Sequence, residues 1–135
     1  MPHKLTAVDG IGPRHASQLA KQGITRTDHL LAKAATRKQR RLLSEASGVS
    51  EIRLYEFVNR ADLMRVPRIG PVVAGLLERA GVPAVRDLAK QKPRELHTTL
   101  GRAISRSSVS VNLPGVHVVA EWICAAKELP TVVRK

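Results

Sequence analysis

The stretch VDGIGPRHA, residues 8–16, spends two glycines and a proline before a helix can begin, and its wording returns as VPRIGPVVA at residues 66–74. An offset of 58 aligns Val8 with Val66, Ile11 with Ile69, Gly12 with Gly70, Pro13 with Pro71, Ala16 with Ala74, Leu19 with Leu77, Gly23 with Gly81 and Leu30 with Leu88, eight identities over 23 positions. Identity at glycine and proline, whose backbone roles are the narrowest, points to an internally duplicated chain. The later part of each half aligns more loosely at an offset of 65, through Glu56/Glu121, Phe57/Trp122, Val58/Ile123 and Ala61/Ala126. The extra seven residues fall in GRAISRSSVSVN, residues 101–112, a Ser-rich stretch read as a longer loop. The halves are then residues 1–65 and 66–135, packed together as one globular unit.

Punctuation along the chain predicts helices. Pro13 and Gly23 bracket a first helix with Ala16, Leu19 and Ala20 on one face. A short helix starts at Thr27, Thr36 caps RKQRRLLSEAS up to Gly48, and Ser50 caps EIRLYEFVNRADLM, where Ile52, Tyr55, Val58 and Ala61 or Asp62 follow helical spacing. The second half repeats the plan with PVVAGLLERA ended by Gly81, then VRDLAKQ, PRELHTTLGRAI and VHVVAEWICAAKEL before Pro130. Only SVSVNL, residues 108–113, alternates enough to suggest a strand, and it is short. The expected class is all-α.

Composition narrows the partners. The 135 residues carry 23 basic and 11 acidic side chains, a formal charge of +12, shared as +6 in each half. Such a potential attracts polyanions whatever the fold. Aromatic residues make up only 2% of the chain, so single strands held by base stacking fit poorly. The lone Cys124, in an apolar run, reads as a small core residue. Neither a signal-peptide pattern nor a membrane-spanning window is present, so a soluble, reducing compartment is expected, the cytoplasm, with nucleoid association in a bacterium or archaeon.

The glycine turn has its own chemistry. Pro13 surrenders an N–H that a helix start could not use, and the amides of Arg14 and His15 are then open donors at the positive end of the helix dipole. That arrangement suits a phosphate oxygen. Ile11 has the opposite task of pinning the turn to the core. A tight link between packed helices would use glycine too, even with nothing bound.

The pattern of an apolar residue, Gly-apolar-Gly and a small residue four positions later appears as Val8, Gly10-Ile11-Gly12 and Ala16, and again as Val66, Arg68-Ile69-Gly70 and Ala74. In this the chain resembles the helix-hairpin-helix family, and as a whole it resembles small duplicated proteins of that type without an assigned role. The resemblance implies a tandem bundle with pseudo-twofold symmetry that grips the sugar-phosphate backbone of duplex DNA through hairpin amides at Gly10, Ile11, Gly12, Arg14 and His15, and at Arg68, Ile69 and Gly70. It also allows a monovalent cation bridging hairpin carbonyls to phosphate; no other cofactor is expected. Arg68 departs from the pattern, standing where its first glycine belongs. Either Arg68 adopts the required angles and adds a charged contact, or the second hairpin is mainly structural.

Basic patches extend the surface. Arg37, Lys38, Arg40 and Arg41 form one run, with Arg37 and Arg41 on one helical face and Arg40 beside it. Lys90, Lys92 and Arg94 form a second set, with Arg102 and Arg106 further on. Each is either a stripe that tracks a backbone or a solvated face. The five histidines show no metal-ligand spacing, and the acidic residues are scattered singly, without a carboxylate cluster for Mg²⁺. Without a nucleophile constellation or phosphate loop, the expectation is a non-enzymatic, weakly sequence-specific binder of duplex DNA, also accepting structured RNA, with no membrane partner and no metal. The alternative is an interaction module that docks on an acidic protein.

Overall fold

The computed structural model describes residues 3–8, 10–107 and 111–135, and among these the chain is all-α, without a strand. After a 3-10 turn at Leu5–Ala7 come α1 (Pro13–Ala20), α2 (Thr27–Lys33), α3 (Arg37–Ser47), α4 (Glu51–Leu63), α5 (Pro71–Arg79), α6 (Val85–Ala89), α7 (Pro93–Arg106) and α8 (Val116–Glu128).

Local chemistry sets most of these ends. Proline occupies the first position of α1, α5 and α7, where its missing N–H costs nothing. Thr36 caps α3 in a reciprocal box: its hydroxyl accepts from the Gln39 amide at 3.2 Å, and the Gln39 side chain accepts from the Thr36 amide at 3.0 Å. Ser50 caps α4 by accepting from the Arg53 amide at 3.2 Å. The left-handed Gly23 and Gly81 follow α1 and α5, and beyond them Ile24 donates to the Leu19 carbonyl at 3.0 Å and Val82 to that of Leu77 at 2.8 Å.

Two long helices organise the core. Helices α2 and α3 pack on α4, α6 and α7 pack on α8, and α4 also meets α5 and α6. The buried rows are Leu54, Phe57, Val58 and Ala61 on α4, and Val119, Trp122, Ile123 and Ala126 on α8. Polar contacts tie the early helices to the later ones. The Arg60 guanidinium on α4 donates to the Glu78 carboxylate on α5, and Arg86 of α6 donates to the Tyr55 hydroxyl. The end of the chain lies back on the first helices, with the Arg134 amide donating to the Ala35 carbonyl at 2.8 Å and Arg65 to the Pro130 carbonyl at 2.9 Å.

Four sequence expectations change. Ile52 is 73% exposed and Tyr55 half-buried, because the buried repeat of α4 begins at Leu54. Cys124 is exposed, lying outside the 119, 122, 123, 126 row that faces the core. Residues 101–106 continue α7 instead of forming a loop: Leu96, Leu100 and Ile104 recur at helical spacing against the core, and Ser105 donates to the Gly101 carbonyl within the helix. Ala20 is exposed, leaving Leu19 as the buried anchor of α1. The alternating stretch 108–113 lies partly outside the described residues, and its described part, 111–113, has no strand geometry.

Candidate nucleic-acid interface

The two glycine turns have matching backbone geometry. The Ile11 amide donates to the Val8 carbonyl at 3.1 Å, and the Ile69 amide to the Val66 carbonyl at 3.1 Å. The residue before each isoleucine is left-handed, Gly10 at φ 90 and Arg68 at φ 71. Arg68 therefore does adopt the angles of the glycine it replaces, at a strain of roughly 1–2 kcal/mol. Both isoleucines are buried and hold their turns to the core.

Gly12 and Gly70, the residues capping α1 and α5, are different. Both are extended, with φ −83 and −94, and a Cβ on either would meet nothing within 4 Å. Neither conformation nor packing demands glycine there. A serine or aspartate would cap the open amides with its own side chain; glycine leaves them bare. Among the described residues no acceptor serves the amides of Gly12, Arg14 and His15, nor those of Gly70, Val72 and Val73, whereas Ala16 and Ala74 begin the helical ladder by donating to Gly12 and Gly70 at 3.0 Å. Neither helix carries an acidic residue in its first turn, and α1 places exposed Arg14 there, against the sign its dipole favours.

The amino ends of α1 and α5 open onto one cleft of about 570 Å³. Gly10, Ile11 and Gly12 line it from one side, and Pro71, Val72 and Arg79 from the other. Arg68, with Ile69 and Gly70, forms the turn leading into Pro71; its guanidinium reaches Glu121 at 3.4 Å, both side chains being largely exposed. An exposed pair of this kind is worth under about 1 kcal/mol, so Arg68 can be drawn to another anion at little cost.

The basic run of α3 divides. Arg37, Lys38 and Arg41 are exposed, but Arg40 is only 4% exposed. Its guanidinium donates to the carbonyls of Ala34 and Ala35, each at 2.9 Å, and to that of Arg134, and it lies 4.8 Å from the centre of the Tyr55 ring. Burial holds its pKa below the usual arginine value, partly offset by Tyr55. Arg40 is a structural clasp and is unavailable to a phosphate. The His15 ring packs edge-on to Phe57 with centroids 5.3 Å apart, which leaves only its amide to the turn. Lys90 and Lys92 are exposed at the link from α6 to α7, outside the residues lining the turn cleft. Sequence reasoning passed over Arg60, which lies beneath Gly10, and Arg79; only the packing of α4 against α5 and of α5 against α7 brings them to the site. Among the described residues no three His, Cys, Asp or Glu side chains gather as a metal site, and no helix is long and apolar enough to cross a membrane.

Residues 9–129 match the model of a family described as a domain of unknown function, DUF4332, and the chain belongs to that family. Comparisons with curated proteins and with solved structures return no significant match.

Proposed function

We propose that this protein is a duplicated helix-hairpin-helix module that binds the phosphate backbone of duplex nucleic acid without catalysing a reaction. The observation that carries the reading is glycine at positions 12 and 70, where neither backbone angles nor neighbours require it and where it leaves helix-end amides bare. Those amides position a phosphate, and the surrounding arginines and lysines supply most of the affinity. The duplication is supported by four helices in each half, α1–α4 and α5–α8, with a matching glycine turn before α1 and α5 and a left-handed glycine after each. A module of this kind works in a nucleic-acid-containing, aqueous compartment.

Titration of short duplex DNA, single-stranded DNA and duplex RNA at several salt concentrations tests this reading. Five phosphate contacts give a slope of log K against log salt near about −4.5, with nonspecific Kd on the order of 10⁻⁴ to 10⁻⁶ M. Duplex is expected to bind more tightly than single strands. Absence of binding to every polyanion at low salt refutes the reading. One observation favours an acidic protein partner instead: Ile52, 73% exposed, shares a cleft with Arg37, Arg40, Tyr55 and Lys135, an apolar side chain among three basic ones and a single acid, Glu51. That reading predicts binding that Ile52→Asp abolishes, whereas duplex binding depends on charge alone at this position.

A further inference from the structure

A second cleft, of about 460 Å³, lies between α5 and α7, lined chiefly by Arg79, Thr99, Arg102, Arg106 and Ser107. Arg102 and Arg106 stand four residues apart on the last turns of α7, where like charges repel by a few tenths of a kcal/mol in an isolated helix. Among the described residues no carboxylate lines the cleft to relieve that repulsion, and Glu78, the acid beside Arg79 in sequence, accepts from Arg60 on α4. The hydroxyl of Thr99 donates to the Glu95 carbonyl within α7 and that of Ser107, just past its end, to the Ile104 carbonyl, so the charged donors that α7 presents to an incoming group are the guanidiniums of Arg102 and Arg106. Guanidiniums bind phosphate oxygens in pairs. Arg79 lines this cleft and also the one containing Gly10, Ile11 and Gly12.

We propose that the α5–α7 cleft seats a second backbone phosphate, and that Arg79, shared by both clefts, joins it to the glycine-turn seat in one continuous track. The repulsion built into α7 is then relieved by the ligand, and affinity depends on a helix face remote in sequence from either turn. This rests on the nucleic-acid reading above, and two measurements keep the two apart.

In the first, arginine Nε–H resonances are followed while inorganic pyrophosphate is added, a probe that needs no nucleic acid. Those of Arg102 and Arg106 are expected to shift together with that of Arg79 and more than that of Arg26, which is paired with Asp28 at 3.0 Å. Shifts no larger than that of Arg26 overturn the seat, whether or not duplex binds. In the second, a duplex is titrated against salt with Arg102→Ala/Arg106→Ala and with Lys21→Ala/Lys33→Ala, which removes equal charge from exposed positions outside both clefts. The arginine variant is expected to bind at least tenfold more weakly at low salt, with a slope shallower by about 1.8, while the lysine variant changes affinity less than about threefold. Equal effects of the two variants overturn the track. If wild type binds no duplex, the track falls with the nucleic-acid reading, and the pyrophosphate shifts still decide whether the seat exists.

Discussion

Gly10 and Arg60 claim the same space. A Cβ on Gly10 would overlap the Arg60 guanidinium, which runs beneath the first turn from α4 on its way to Glu78 of α5. The turn is thereby set directly on the contact between early and late helices. With Gly10 at φ 90, Gly10→Ala adds left-handed strain and displaces Arg60. It is expected to lower stability by about 1–3 kcal/mol, read by denaturant unfolding. A change under about 0.5 kcal/mol would contradict the account of this turn.

Arg68 is the complementary case, a left-handed residue with a side chain. Arg68→Gly relieves the strain and loses only an exposed pair with Glu121, so stability is expected to rise by about 0.5–1 kcal/mol. Arg68→Ile, with a branched Cβ in the same conformation, should lower it by at least about 1 kcal/mol. Thermal unfolding of the three proteins orders them, and a more stable isoleucine variant would show that the turn does not require positive φ.

The four basic residues of α3 separate by role. Arg40→Ala removes the donor from the Ala34 and Arg134 carbonyls and one of the two donors to Ala35, and is expected to cost about 2–4 kcal/mol. Arg37→Ala and Arg41→Ala, both exposed, should stay within about 0.5 kcal/mol of wild type while each makes the salt slope for duplex shallower by about 0.9. Comparable stability losses at all three positions would contradict this division.

That division marks the limit of what the sequence could reveal. Helix boundaries were legible because their causes are local: Pro13, Thr36, Ser50 and the glycines at 23, 48 and 81 act within a few residues of themselves. One partner of Arg40 is Arg134, 94 residues away, and no periodicity within α3 announces it. Ile52 and Cys124 misled for a related reason, since an apolar residue on a helix says nothing about which side the next helix will cover. The glycine turns were visible as a repeat, yet their two glycines have opposite physical roles: Gly10 answers to φ and to Arg60, whereas Gly12 answers to neither. Arg79 was invisible because its importance comes from lying between two clefts.

Asp62 gives a pH dependence of known sign. It is buried on α4, and burial pushes its carboxyl above the ordinary value of 3.8, with Arg65, donating at 2.7 Å, pulling partly the other way. The native state therefore holds this proton more tightly than the unfolded chain does. The stabilisation is complete below the ordinary value and is lost as pH rises through the raised native one. The stability of wild type minus that of Asp62→Asn should accordingly fall as pH rises across the carboxylate range, measured by unfolding at matched ionic strength. A difference that grows with pH would mean that the pairing with Arg65 dominates.

Gly12 tests the central claim most directly, because its surroundings accept a side chain. Gly12→Ser should cap the free amides of α1 internally, raising stability by about 0.3 kcal/mol while weakening duplex binding. The decisive comparison is the duplex titration of wild type against Gly12→Val at low salt, with helix content checked by circular dichroism. Valine shields the bare amides without changing charge, so binding at least tenfold weaker with an unchanged salt slope and unchanged helicity is expected. Equal affinity of the two proteins for duplex would contradict the claim that the helix-end amides hold a phosphate.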